Sequence, residues 1–359
     1  MSASSTTRVL MSGNEALAEG AVQAGCDAYF GYPITPQNEV PEYMAQRMPE
    51  VGRVFVQSES ELAAISMVMG AAATGARAMT SSSSPGISLM QEGISYLCGC
   101  ELPAVIVNVV RGGPGLGNIG PAQSDYYQSV KGGGHGDYQL SVLAPASVQE
   151  MFDFAFLAFD LAFLYRNPAL ILSDGLIGQL MEPVELREPV SLRVPGVSFD
   201  AGAWALTGAQ GRPPRSLKSL LLGDCVLENH NRALQRKYQQ MREREVRVEL
   251  QHCDDAEYVF VAYGTCARLC HGALQQLRAE GLRVGLVRPI TLWPFPVAAL
   301  QACAARCKHM MVVELSCGQM LDDVRLAISA ACPLSFNGRT GGSVMTVEDL
   351  VDAARAAFR

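Results

Sequence analysis

The sequence has no excess of positive charge: 28 Lys and Arg stand against 35 Asp and Glu, for a formal net charge of −7. A nucleic-acid partner would need a basic face, so that class is set aside. No apolar run reaches the roughly 20 residues that a membrane-spanning helix needs. The longest, "AVIVNVV" and "EMFDFAFLAFDLAFLY", are short or broken by Asp153 and Asp160, which argues against a membrane protein. The first residues, "MSASSTTRVLMSGNEAL", carry no basic segment leading into an apolar core, so no signal peptide is expected and a cytoplasmic location follows by default. The 11 cysteines contain no C-x-x-C and match no iron–sulfur or zinc pattern. In such a chain they are expected to be reduced and mostly buried. No G-x-x-x-x-G-K-[ST] is present, and the glycines at 112, 113, 115 and 117 do not follow the G-x-G-x-x-G order of a dinucleotide fold.

What is present is an alternation. Short apolar β-rich runs ("CDAYFGYP", "GRVFVQ", "ARAMTSS", "LPAVIVNVV", "NPALILSDG") are separated by Ala-rich helical runs such as "SELAAISMVMGAAATG" and "GISLMQEGISYLCGC". Continuous apolar strands between helices predict an α/β fold with a mostly parallel sheet covered on both faces. With 359 residues, of which 49% are hydrophobic, two domains and a linker are expected. The boundaries fall at 1–190 for the first domain, 191–250 for a linker and 251–359 for a smaller α/β domain. The linker opens with Pro-rich, extended "EPVELREPVSLRVPGVSFD". Its "ENHNRALQRKYQQMREREVRVEL" is expected to be a solvated charged helix rather than a brace between domains or subunits.

In open parallel sheets, ligands collect outside the carboxyl ends of the strands. Each strand of the first domain is followed there by polar or stiffened chain. Pro33 and Pro36 bracket Ile34 and Thr35, Glu59 and Glu61 precede the Ala-rich helix, Ser81 to Ser84 lead into a helix start, and Arg111 opens "GGPGLGNIGPAQSD". Singly, each has a plain structural reading: a turn hydroxyl, a helix cap, an ion pair. Together a carboxylate, a guanidinium and hydroxyls describe a site.

The motifs "GYPITP", "SE" before the Ala-rich helix, "TSSSSPGISLMQEGISY", "ELPAVIVNVVRGGPG", "GGGHGDY" and "VLAPASVQE" occur in order. They are followed by "YGT", "RPITLWPFP", "VVELSCGQM" and "NGRTGG". Over nearly the whole chain this resembles the α subunit of thiamine-diphosphate-dependent 2-oxoacid:ferredoxin oxidoreductases. "QSESE", "SSSPGISLM" and "RGGPGLGNI" are similar to the branched-chain (3-methyl-2-oxobutanoate) type, where 2-oxoglutarate subunits tend to read "QMEDE", "TSGPGFSLM" and "RSGPSTGQPT".

The resemblance implies a thiamine-enzyme pyrimidine-binding domain followed by a transketolase C-terminal-like domain. It implies the reaction of a 2-oxoacid, CoA and oxidised ferredoxin to acyl-CoA, CO2 and reduced ferredoxin. It also implies a cofactor shared with a β subunit that holds the diphosphate and its magnesium, further γ/δ-type subunits, and iron–sulfur clusters on other subunits only. In agreement, no G-D-G followed by a spaced Asn occurs; "SDGLIG" is nearest and lacks the first Gly.

In such enzymes a buried carboxyl group hydrogen-bonds N1′ of the aminopyrimidine, so that the cofactor's own amino group can remove the C2 proton. Thiamine enzymes commonly place that Glu nine residues before a helix glycine that permits close packing. Glu61 stands nine residues before Gly70 and takes this role; Glu59, at the strand end, is left a capping or supporting hydrogen bond. Arg111 matches the residue that holds the substrate carboxylate, a task suited to a guanidinium fork. Thr35 matches the hydroxyl that meets the 2-oxoacid from the opposite loop, and Pro33, Ile34 and Ser84 are expected to line the cofactor. No residue is assigned to a metal. Gln123, Asp125 and His135 are further candidates in the following loops. Competing readings are a 2-oxoglutarate or pyruvate enzyme of the same family, a non-catalytic scaffold subunit and a generic nucleotide-binding protein.

Overall fold

The computed structural model describes residues 8–358, so the signal-peptide reading, which rests on residues 1–17, lies partly outside the described residues. The first domain begins with β1 (Arg8–Ser12), α1 (Gly13–Gln23), β2 (Ala28–Gly31), α2 (Glu39–Glu50), β3 (Val54–Gln57), α3 (Glu61–Ala73), β4 (Ala78–Ser82) and α4 (Ser84–Gly99). It continues through β5 (Val105–Val110), α5 (Tyr126–Val130), β6 (Ser141–Leu143), α6 (Val148–Tyr165), β7 (Ala169–Asp174), α7 (Gly175–Gln179) and β8 (Met181–Glu185). A long segment then leads to α8 (Val226–Arg244) and β9 (Val248–Gln251). The remainder is β10 (Tyr258–Val261), α9 (Gly264–Ala279), β11 (Val284–Pro289), β12 (Thr291–Trp293), α10 (Val297–Ala304), β13 (His309–Glu314), α11 (Gln319–Ile328), β14 (Leu334–Gly338) and α12 (Val347–Ala357).

The main sheet has the order β12-β6-β7-β5-β4-β2-β3 and is parallel except for β12. Its centre, β5, is "VIVNVV", buried at every position. β-branched side chains suit a pleated surface covered on both sides. α6 lies deep in one covering layer, buried on nearly all sides, and α1 crosses it closely. A Cβ on Gly20 would collide with the Phe152 carbonyl oxygen, so glycine is required at that crossing. The buried Asp160, which breaks the apolar run of α6, is held by the Arg193 guanidinium at 2.7 and 2.8 Å. Arg193 belongs to the extended Pro-rich segment, which lies against the first domain; there Phe199 packs on Phe163 and under Arg77, and Trp204 under Arg166.

The second sheet has the order β14-β13-β10-β11-β9, parallel except for β9. Three features differ from the sequence expectation. "VRVEL" is not helical but runs into β9, which pairs antiparallel with β11. β1 and β8 form a separate antiparallel pair. And α8 is not simply solvated: Leu234, Tyr238 and Met241 bury one stripe, Tyr238 meets Trp293 edge-on at 6.0 Å, and Lys237 pairs with Glu101 at 3.0 Å. The charges mask an i, i+4, i+7 apolar stripe, and the helix braces the first domain against β12.

The domains join through polar contacts as well as through β12–β6. Gln123 exchanges hydrogen bonds with Leu315 and reaches the Tyr263 carbonyl at 3.0 Å. Asp174 receives Thr265, and Arg288 forks onto Glu150 at 2.7 and 2.9 Å.

Candidate functional site

β3, β2, β4 and β5 are neighbours in the sheet, so the loops at their carboxyl ends converge. Glu61 is the first residue of α3, whose N-cap Ser60 accepts a hydrogen bond from the Ala63 amide. That start turns the Glu61 side chain inward: it is 6% exposed, and its carboxyl has no hydrogen-bond partner among the described residues. Glu59 is exposed and accepts a hydrogen bond from the Ser60 hydroxyl at 2.9 Å, so the cap is Ser60 and Glu59 only supports it. Gly70 is exposed on α3, and a Cβ there would meet nothing within 4 Å among the described residues. The close-packing role expected of it is not found within this chain.

Opposite Glu61 stands the first turn of α4. A Cβ on Gly86 would overlap Ser82 Oγ and lie 2.5 Å from Glu61 Oε1, so a glycine here lets the hydroxyl and the carboxyl face the same point. The hydroxyls of Thr80, Ser82 and Ser83 are buried without a hydrogen-bond partner among the described residues. Such orphans cost about 1–3 kcal/mol each in a folded protein. Their concentration at one strand end, beside an unpartnered carboxyl, marks a place built to receive a polar group.

Ser84 ties the turn to the next loop. Its amide donates to Asn108 Oδ1 at 3.1 Å, and its hydroxyl accepts from the Arg111 amide at 3.1 Å. Asn108 in turn donates to Asp125 at 2.9 Å. Burial pushes the Asp125 carboxyl above its ordinary range, and hydrogen bonds from Ser84 and Asn108 pull it partly back. The Arg111 side chain donates to the carbonyls of Thr35 at 2.9 Å and Leu116 at 3.2 Å, while its buried Nε has no partner among the described residues. Thr35 is half-buried, and its hydroxyl accepts from Asn38 at 3.3 Å. Pro33 is exposed and Ile34 half-buried in the same loop.

Arg111, Thr35 and Ser84 are therefore joined directly, and Glu61 faces the same helix turn. His135 is not among them. It is exposed, its carbonyl accepts from Ser95, and its ring meets Tyr96 edge-on, further along α4. Gln123 is committed to the domain joint. Sequence reasoning placed Ser82 and Gly86 only within the run at the helix start and gave neither a role of its own, and it passed over Asn108. The signal for Asn108 was available, since it is the one polar residue in an otherwise apolar strand.

The donor set of one carboxyl, several hydroxyls and one guanidinium fits a neutral heteroaromatic ring beside a carboxylate-bearing substrate. Models of known families agree with this class. Residues 19–248 match the thiamine-diphosphate-binding domain of pyruvate flavodoxin/ferredoxin oxidoreductases, and residues 256–350 match core domain II of pyruvate:ferredoxin oxidoreductase. The chain belongs to the 2-oxoacid:ferredoxin oxidoreductase family, and several of its relatives are named as subunits of such enzymes. Among its relatives, the ketoisovalerate oxidoreductase subunit VorB of Methanothermobacter thermautotrophicus is 49% identical over 96% of this chain and 97% of its own. The 2-oxoglutarate synthase subunit KorA of the same organism is 34% identical over 97% of this chain and 98% of its own. Of solved structures, the 2-oxoglutarate:ferredoxin oxidoreductase of Magnetococcus marinus superposes with a TM-score of 0.87 at 28% identity, over 99% of this chain and 66% of that longer one. No described helix is long and apolar enough to cross a membrane.

Proposed function

We propose that this chain supplies the pyrimidine-binding half of the active site in an enzyme that oxidatively decarboxylates 3-methyl-2-oxobutanoate. CoA and oxidised ferredoxin would yield the acyl-CoA, CO2 and reduced ferredoxin. The observation that carries the reading is that Glu61, a buried residue with no hydrogen bond to its carboxyl among the described residues, turns that carboxyl to the point left open by Gly86, where the unpartnered Ser82 hydroxyl also lies. Thiamine diphosphate, when bound, supplies the nucleophilic carbon and the electron sink for decarboxylation. Glu61 would hold a proton at N1′ of its aminopyrimidine. Arg111 would take the substrate carboxylate, with Thr35 on the facing side, while Pro33, Ile34 and Ser84 wall the ring.

The substrate preference draws on the strong likeness to the ketoisovalerate subunit and on the loop after Arg111. Residues 112–120 carry no charge, and they present Leu116 at 82% exposure and Ile119 at 64%. An apolar branched side chain suits such a surface better than a second carboxylate does. We place the diphosphate and magnesium on a β subunit and the iron–sulfur clusters on other subunits of a complex that includes γ/δ-type ones, all in the cytoplasm, with residues 1–190, 191–250 and 251–359 as domain, linker and domain. Most of the cysteines are buried free thiols, and although Cys307 and Cys332 stand 3.9 Å apart, no group of three or more metal-ligating side chains occurs among the described residues, which supports placing the clusters elsewhere.

The test is to assay the purified complex with CoA, oxidised ferredoxin and each 2-oxoacid in turn. A kcat/KM highest for 3-methyl-2-oxobutanoate is expected. A preference for 2-oxoglutarate or pyruvate would contradict the substrate, and no turnover with any 2-oxoacid would contradict the reaction.

A further inference from the structure

The serines of β4 differ in their surroundings. Side chains alternate along a strand, so Thr80 and Ser82 share one face and Ser81 takes the other. Ser81 is satisfied, bonding Tyr29 at 2.6 Å and Gln37 at 2.5 Å. Thr80 and Ser82 are fully buried, and neither hydroxyl has a partner among the described residues. Of the two, Ser82 Oγ lies together with Glu61 Oε1 around the point left open by Gly86, where a Cβ would overlap the one and stand 2.5 Å from the other.

We propose that Ser82 is a positioning residue for Glu61: its hydroxyl, unpartnered in this structure, turns once the cofactor is seated to donate to the carboxyl oxygen facing away from it, and so fixes which oxygen meets the aminopyrimidine nitrogen. The proposal rests on the thiamine reading of Glu61. A glutamate's terminal torsion is broad, so a carboxyl without neighbours does not choose an orientation. A serine hydroxyl has one proton to give, and Ser81 is already engaged on the far face of the strand. A hydrogen bond donated to a carboxylate favours its charged form. The same bond keeps the carboxyl turned to the ring nitrogen instead of leaving it free to rotate away. It also explains why an orphan hydroxyl is kept in a position where alanine would remove the cost.

The test compares Ser82→Ala with Thr80→Ala in the purified complex. The readouts are steady-state kinetics, the pH titration of the cofactor's near-ultraviolet circular dichroism band for the imino tautomer, and the melting temperature of the free chain. Ser82→Ala is expected to lower kcat roughly ten- to hundred-fold, the span of one hydrogen bond to a charged group. KM for the 2-oxoacid should stay within about two-fold. The band's titration midpoint should move to higher pH, and the melting temperature should not fall. Thr80→Ala should leave the midpoint in place. A midpoint unmoved by Ser82→Ala, or moved equally by Thr80→Ala, overturns the proposal alone. If the unsubstituted complex shows neither band nor turnover, the thiamine reading fails and takes this one with it.

Discussion

Glu61 and Asp174 are both buried acids near carboxyl ends of strands in the same sheet, yet their surroundings are opposite. Asp174 is 2% exposed and accepts from the Leu176 and Ile177 amides, capping α7, and from the Thr265 hydroxyl at 2.8 Å across the domain joint. Burial still holds its carboxyl above the ordinary range, with those hydrogen bonds pulling the other way. Glu314, at the end of β13, is satisfied in the same manner by the Met320 and Leu321 amides and the Ser316 hydroxyl. Glu61 has no such partners among the described residues, and the hydroxyls beside it have none either. Polar groups that hold a fold together are paired within the fold. Polar groups left unpaired at the end of a parallel sheet are arranged for something that arrives from outside.

Substitutions can break this contrast at either end. The largest effect is expected from Glu61→Gln, which should lower decarboxylation by about 10²–10⁴-fold, the range for a lost acid–base group, with an unchanged melting temperature. Rapid-quench measurement of CO2 release checks it. Next is Arg111→Lys, which keeps the charge but loses the fork; kcat/KM for the 2-oxoacid should fall roughly 10–100-fold. Gly86→Ala puts a methyl where Ser82 and Glu61 meet, so thiamine diphosphate affinity, read by titration calorimetry on the complex, should weaken about ten-fold or more.

At the joint, Asp174→Ala should act on stability rather than on the proton step. Loss of the cap and of the Thr265 bond should cost about 2–3 kcal/mol in denaturant unfolding.

The smallest effect belongs to Asp153, a half-buried acid with a single partner, Gln149 at 3.0 Å. Burial raises its carboxyl to about 6. The native state therefore binds that proton more tightly than the unfolded chain. The resulting stability is fully present below the unfolded value of about 3.9 and is lost as pH rises through about 6. Asp153→Asn should gain stability relative to the parent as pH rises across that window, measurable by paired melting curves.

The alternation of apolar strands and Ala-rich helices was readable in the sequence because β5 and its neighbours are covered on both faces, which leaves continuous hydrophobic runs. β12 was not readable: three residues between prolines form a strand only because the second domain docks on β6. The buried stripe of α8 was obscured by the charges around it, and Gly70 shows how a register can be counted without its packing reason being present in the chain. The loops carrying Thr35, Glu61, Ser84 and Arg111 could be named from the polar residues at the carboxyl end of each apolar run. Which serine stays unpaired depends on distances across α3, β4 and α4, and those exist only in three dimensions.

The central claim is that the unpartnered Glu61 carboxyl activates a bound thiamine. The most direct measurement is hydrogen–deuterium exchange at C2 of thiamine diphosphate in the purified complex, comparing the parent with Glu61→Gln and omitting the 2-oxoacid. The account predicts fast exchange in the parent and exchange slowed about a hundred-fold or more in the variant. Equal exchange rates in the two, with cofactor bound to both, would contradict it.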